Sequence, residues 1–187
     1  MARKSQTRTS GNTQGVPSEG TKNKIPLDEL ITVMSLIDYP LNLLQQGGGR
    51  AKYKFESFGE TKEILYEDIL VIIENYRSFM EGGYFVILDE RVVARHALQS
   101  IFSKVLGKEY LERIFQGNGD ALAIFNSCND KQKELVVGML TRKLARDANS
   151  VDLNVLNQIS RASGVDIASN ADDARELYEN NKKGDGS

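Results

Sequence analysis

The run YFVILDE at 84–90 is the first place in this chain to look for chemistry. Apolar residues followed by an acidic pair have the form of a Walker B box, in which Asp89 would sit on a magnesium ion and Glu90 would hold a water. Such a box needs a phosphate cradle. The one glycine cluster available, Gly47-Gly48-Gly49-Arg50, has no strand before it and no Lys-Ser/Thr after it, so it does not make a P-loop. An apolar strand whose following acid caps a helix explains the same residues and needs no missing part. His96 is the only histidine, and no cysteine or second histidine stands at ligand spacing from it, which argues against zinc. An acid–base pairing of His96 with Asp89 or Glu90 has no further support in the sequence. The sequence thus yields no catalytic, cofactor-binding or metal-ligating set, and the expectation is a protein that is not an enzyme and carries no cofactor.

Charge offers a different kind of chemistry. The 187 residues nearly balance at a formal net charge of -2, so a globally basic nucleic-acid binder is not indicated. The balance hides an asymmetry. Residues 1–24 carry Arg3, Lys4, Arg8, Lys22 and Lys24 against Glu19 alone, a net +4, which leaves about -6 on the remainder. A basic arm on an acidic body could contact nucleic acid or another acidic surface. Arg142, Lys143 and Arg146 form a second basic cluster at a helix end, where cations suit the dipole and are ordinarily solvated. Aromatic stacking residues are missing beside either cluster along the chain, which counts against nucleic acid. The single cysteine, Cys128, excludes an intrachain disulfide and fits a reducing compartment. No secretion signal is expected, since no apolar segment follows the charges of the first residues, and no apolar run is long enough to span a bilayer.

The elements that would position these residues read as follows. Residues 1–24 are Ser, Thr, Gly, Asn and Gln with scattered cations, too polar to offset their ordering entropy, and are expected to form a flexible arm. Over 25–46, Pro26, Asp28 and Glu29 resemble a helix start, and Leu27, Leu30, Ile31, Met34 and Ile37 recur at helical spacing. That predicts an amphipathic helix ended by Tyr39-Pro40 and followed by a linker. Residues 50–98 predict a small α+β platform. Lys52-Tyr53-Lys54-Phe55 alternates as a strand, Phe58-Gly59-Glu60 turns, and 61–66 returns as a second strand. Glu67 and Asp68 open a helix, 84–88 forms a buried strand, and Asp89 caps the next helix. Residues 99–181 predict a run of helices, with Asn129 or Asp130 and then Ser150 as caps, Gly164 as a stop and 170–180 as a last helix whose thin apolar face is Leu177 and Tyr178. Residues 182–187 are a frayed tail. The fold class expected is α+β: a two- or three-stranded β-layer, a mainly helical C-terminal half and a flexible basic N-terminal arm.

Three features within 53–178 resemble a group of small structural proteins of tailed bacteriophages. Phe58-Gly59-Glu60-Thr61-Lys62-Glu63-Ile64 is similar to a G-E-x-K-x-I stretch that precedes a helix there. An apolar strand ends in Asp89-Glu90 and leads to Val92-Val93. Short helices follow, ending in Gly164-Val165-Asp166-Ile167, similar to a G-[VF]-[DN]-[IV] sequence near the C-terminus of such proteins. The resemblance implies a virion component of the head, its vertex or neck, or the tail, assembled in the bacterial host cytoplasm, and it brings no catalytic residues.

The leading expectation is therefore a non-enzymatic structural or assembly protein that packs against copies of itself or other virion proteins, with no membrane contact. Its candidate contact residues are Arg3, Lys4 and Arg8 of the arm, Leu30, Ile31 and Met34 of the first helix, and Arg50 of the glycine loop. The alternative is a nucleic-acid-binding or regulatory protein that uses the basic arm. A nucleotide-dependent enzyme built on Asp89 and Glu90 ranks third.

Overall fold

The computed structural model describes residues 24–45 and 50–184. Arg3, Lys4, Arg8 and the glycines 47–49 lie outside the described residues. The fold is α+β. Among the described residues, strands come first: β1 (Leu30–Ser35), β2 (Leu41–Gln45), β3 (Ala51–Phe55), β4 (Thr61–Leu65) and, after two helices, β5 (Phe85–Ile87). Those helices are α1 (Tyr66–Asn75) and α2 (Arg77–Gly82). Then come α3 (Glu90–Arg95), α4 (Gln99–Phe102), α5 (Lys108–Phe115), α6 (Ala121–Ser127), α7 (Asp130–Arg146), α8 (Leu153–Ser163) and α9 (Ile167–Gly184).

The helix predicted ahead of Tyr39-Pro40, with its linker, is a correction. The helix is replaced by β1, the central strand of a three-stranded antiparallel sheet ordered β4-β1-β5, and the linker by β2. The apolar spacing fits both readings. Positions 30, 31, 34 and 37 share a helix face, whereas 31, 33 and 35 alternate on a strand. The helix-start residues make a turn instead, in which the Glu29 N–H donates to the Pro26 carbonyl at 3.2 Å. Helix propensities differ by only a few tenths of a kcal/mol per residue. What decides is partnership: β4 and β5 each need a neighbour, and β1, with Ile31-Thr32-Val33 at its centre, supplies a ladder to both. The turn at Phe58-Gly59 likewise does not close a β3–β4 hairpin. β3 pairs with β2, from Leu41 opposite Phe55 to Gln45 opposite Ala51, and β4 pairs with β1, from Leu30 opposite Leu65 to Met34 opposite Thr61.

The two faces of β1 serve two cores. Ile31 and Val33 are fully buried on the inner face, with Ile64 of β4, Phe85 and Ile87 of β5, Ile69 and Ile72 of α1, and Phe55 and Leu43 of the hairpin. At about 1.5–3 kcal/mol for each fully buried aliphatic side chain, this face dominates the stability of the N-terminal half. Met34 and Val86 turn to the outer face and pack, with buried Leu36, against the helical core of α5 to α9: Leu111, Ile114, Phe125, Val136, Leu140, Ile159 and Ile167. Asp68 holds the β2–β3 hairpin to α1, accepting from the Tyr53 hydroxyl at 2.6 Å and pairing with Lys52 at 2.6 Å.

The helix ends follow local chemistry. Asp89 and Asn129 cap α3 and α7 as expected, accepting from Arg91 N and Gln132 N. α8 is capped by Asp152 and not by Ser150, whose hydroxyl donates to the carbonyls of Asp147 and Lys143. Gly164 ends α8 in the left-handed conformation. α9 starts earlier than expected and runs through residues assigned to the tail. Its buried residues are Ile167 and Ala171, while Leu177 is 65% exposed. Arg175 of α9 donates to the carbonyls of Leu144 and Ala145 at 2.9 and 3.2 Å, satisfying the C-terminal end of α7.

Gln132 ties α7 to the loop between α4 and α5. It is fully buried, accepts from the Leu106 N–H at 2.9 Å and donates to the Leu106 carbonyl at 2.8 Å, as a peptide group in a ladder would. Gly83, at φ 74, leaves room for it: a Cβ there would lie 3.0 Å from Gln132 Nε2. Gln132→Ala strands a buried N–H and a buried carbonyl, so urea denaturation is expected to show a loss of about 2–4 kcal/mol. Gln132→Glu is expected to destabilise as well, because a carboxylate oxygen would then face the Leu106 carbonyl.

Candidate functional site

The residues that suggested chemistry are used structurally. The Asp89 carboxylate accepts from Arg91 N at 2.9 Å and Val92 N at 3.4 Å, and pairs with Arg91 Nη2 at 2.7 Å. Arg91, which also pairs with Glu29, holds the Asp89 carboxyl below its ordinary range. Glu90 is exposed. His96 closes α3, and among the described residues no group of three or more His, Cys, Asp or Glu side chains is placed to hold a metal. His96 Nε2 lies 2.8 Å from the hydroxyl of buried Tyr66. Burial, and then the charge of Arg95, push the His96 imidazole below its ordinary value. Cys128 is buried, and burial raises its thiol to about 11.

The contact candidates separate by strand alternation. Leu30 and Met34 lie on the outer face of β1, and Ile31 lies on the inner face with no exposed area, so Ile31 is a core residue and not a contact residue. The helical core covers the outer face only at its Met34 and Val86 end. At the other end Leu30 is 57% exposed, flanked by half-buried Leu65 opposite it on β4. Leu88, whose N–H donates to the Thr32 carbonyl at 3.0 Å, continues this face and is 46% exposed. Thr32 lies between them and donates to Glu63 at 2.8 Å. The result is an open apolar patch on a sheet face, with Leu27 exposed just ahead of it. Arg50, just before β3, is exposed.

A cleft beside α7 was not legible in the sequence. Tyr39, Phe79, Tyr84, Lys131, Glu134, Gly138 and Arg142 are among the residues that line a volume of about 420 Å³. The Phe79 and Tyr84 rings stack at 4.9 Å and 20°, and Tyr76 meets Phe79 edge-on at 5.6 Å. Arg142 lies over the Tyr39 ring at 4.9 Å and binds Asp38 through Nη2 at 2.6 Å and Nε at 3.1 Å. Burial, and then Tyr84, raise the Tyr39 phenol to about 12, so it stays protonated. Past this ion pair, a second cavity of about 190 Å³ is lined by Asp38, Phe58, Phe115, Met139, Lys143 and Arg146. The expected basic cluster is therefore divided: Arg142 is bound by Asp38, and Lys143 and Arg146 remain exposed. The aromatic neighbours missing along the chain arrive from residues 39, 58, 79, 84 and 115. The available signal was Gly138, a poor helix former inside a helix of 17 residues, on the same stripe as Lys131, Arg142 and Arg146.

The chain matches no protein-family model, no curated protein and no solved structure.

Because the folded state holds His96 below its ordinary pKa of 6.5, its contribution to stability is fully present above that value. That contribution is lost as the pH falls below 6.5 and through the lowered folded pKa. Thermal melts between about pH 7.5 and 5 are expected to show this loss, and His96→Gln is expected to flatten the profile over that window.

Proposed function

We propose that this chain is a non-enzymatic structural or assembly protein of a tailed-phage virion, part of the head, its vertex or neck, or the tail. It acts through contacts with other virion proteins or copies of itself, and is assembled in the bacterial host cytoplasm. The observation that carries the reading is the open end of the outer sheet face, where Leu30 and Leu88 are exposed next to Leu65. A large aliphatic pair on a sheet face gains little in water and gains about 25 cal/mol per Å² when a partner covers it. The motifs at 58–64, 84–93 and 164–167 support the virion setting by their likeness to such proteins. In the fold they occupy the two flanking strands of the sheet and the joint between α8 and α9.

The alternative, nucleic-acid contact through the arm, rests on Arg3, Lys4 and Arg8, which lie outside the described residues. Asp89 and Glu90 do not favour the enzyme reading, since Asp89 is engaged by the α3 N-terminus and Arg91.

Mass spectrometry of purified particles is expected to find the chain at a fixed copy number. The variant Leu30→Glu with Leu88→Glu is expected to keep its circular dichroism and melting behaviour, since both side chains are exposed, yet to lose incorporation. Absence of the wild-type chain from particles, or undiminished incorporation of the variant, defeats this reading.

A further inference from the structure

The geometry points to a ligand site in the α7 cleft, and we propose that it takes a nucleobase together with its linked phosphate. The cavity of about 420 Å³ is within the range of small-ligand sites. One wall is aromatic. Phe79 is 36% exposed and is backed by Tyr84 and Tyr76, a fixed platform on which a planar ring gains stacking energy without reordering side chains. A second part of the lining comes from α7, whose stripe runs from Lys131 in this cavity to Arg146 in the smaller one. Fifteen residues separate them, about 22 Å along the helix axis. Lys131, Lys143 and Arg146 form no ion pair among the described residues, so their charge is available to phosphate.

Arg142 and Gly138 give the cleft its shape. The guanidinium is held by Asp38 and by the Tyr39 ring; it lines the larger cavity, while its partner Asp38 lines the smaller one. Gly138 is the floor beneath it. A Cβ at that position would stand 3.2 Å from Arg142 Nη1. Glycine inside a helix costs about 1 kcal/mol relative to alanine, and here the missing Cβ leaves the room that the Arg142 guanidinium takes. Glu134, on the same wall, supplies an acceptor for an exocyclic amino group. The acid keeps the site from being a general anion sink and favours a base that carries such a group.

Two sources share this chemistry, a free nucleotide and a single strand threaded from the larger cavity toward Lys143 and Arg146. Fluorescence anisotropy with the full chain distinguishes them, using a labelled oligodeoxyadenylate of about 12 nucleotides and competing AMP. Binding is expected at about 50 mM salt, and to weaken between about 50 and 200 mM salt if phosphates along a strand are engaged. Competition by AMP only at concentrations about tenfold or more above the oligonucleotide assigns the strand. Equal potency assigns the free nucleotide.

Phe79→Ala is expected to reduce affinity about tenfold or more. Gly138→Val sets a side chain against the Arg142 guanidinium, displaces it from the cleft wall and is expected to do the same. Lys143→Glu with Arg146→Glu changes only exposed side chains, so its fold is safe, and it is expected to abolish strand binding. No binding at about 50 mM salt overturns the proposal. Full affinity in all three variants overturns it too, because binding would then reside outside the cleft.

Discussion

β1 is the constraint on which the rest depends. A strand with a neighbour on each edge has its backbone groups committed in both directions, and its side chains alternate between two faces. Here each face becomes the floor of a different core. The inner face is covered along its length by α1 and the hairpin, whereas the outer face is covered only where Met34 and Val86 meet the C-terminal helices. The open patch around Leu30 and Leu88 therefore follows from the sheet being longer than the helical layer laid across it.

The seating of α7 on the loops around it is polar. Gln132 hydrogen-bonds both backbone groups of Leu106, and Asn129 reaches the carbonyls of Glu81 and Lys104 while capping its own helix. These bonds fix the rotation and register of α7 in a way that apolar packing alone would not. A defined rotation is what places Lys131, Gly138 and Arg142 in one cleft with Tyr39 and Phe79, and Arg146 in the smaller cavity with Phe58 and Phe115.

Much of the fold was legible from local rules. The acid caps at Asp89 and Asn129, the stop at Gly164, and the strands near 52–56, 61–66 and 84–88 all have signals within a few residues of themselves. The first strand had no such signal, because Leu30, Ile31, Met34 and Ile37 satisfy a helix period as well as a strand. Only the presence of two other strands in need of a partner resolves the ambiguity. Ile31 was misassigned to the surface for the same reason: alternation sends it inward and Leu30 outward. The cleft was invisible for a different reason. Its aromatic wall is assembled from Tyr39, Phe79 and Tyr84, and its basic wall from residues about fifty or more positions further on, so no window of sequence contains both.

The reach of Arg175 back to Leu144 and Ala145 bears on how the molecule is made. The helix that walls the cleft receives the guanidinium at its last turn from a residue roughly thirty positions later. While the chain is being synthesised, α7 leaves the ribosome with those carbonyls unmet by protein, and α9 must follow before they are. The N-terminal sheet can begin to close as soon as β5 has emerged, whereas the end of α7 is completed only once α9 is in place, so the last turn of α7 is set late in translation.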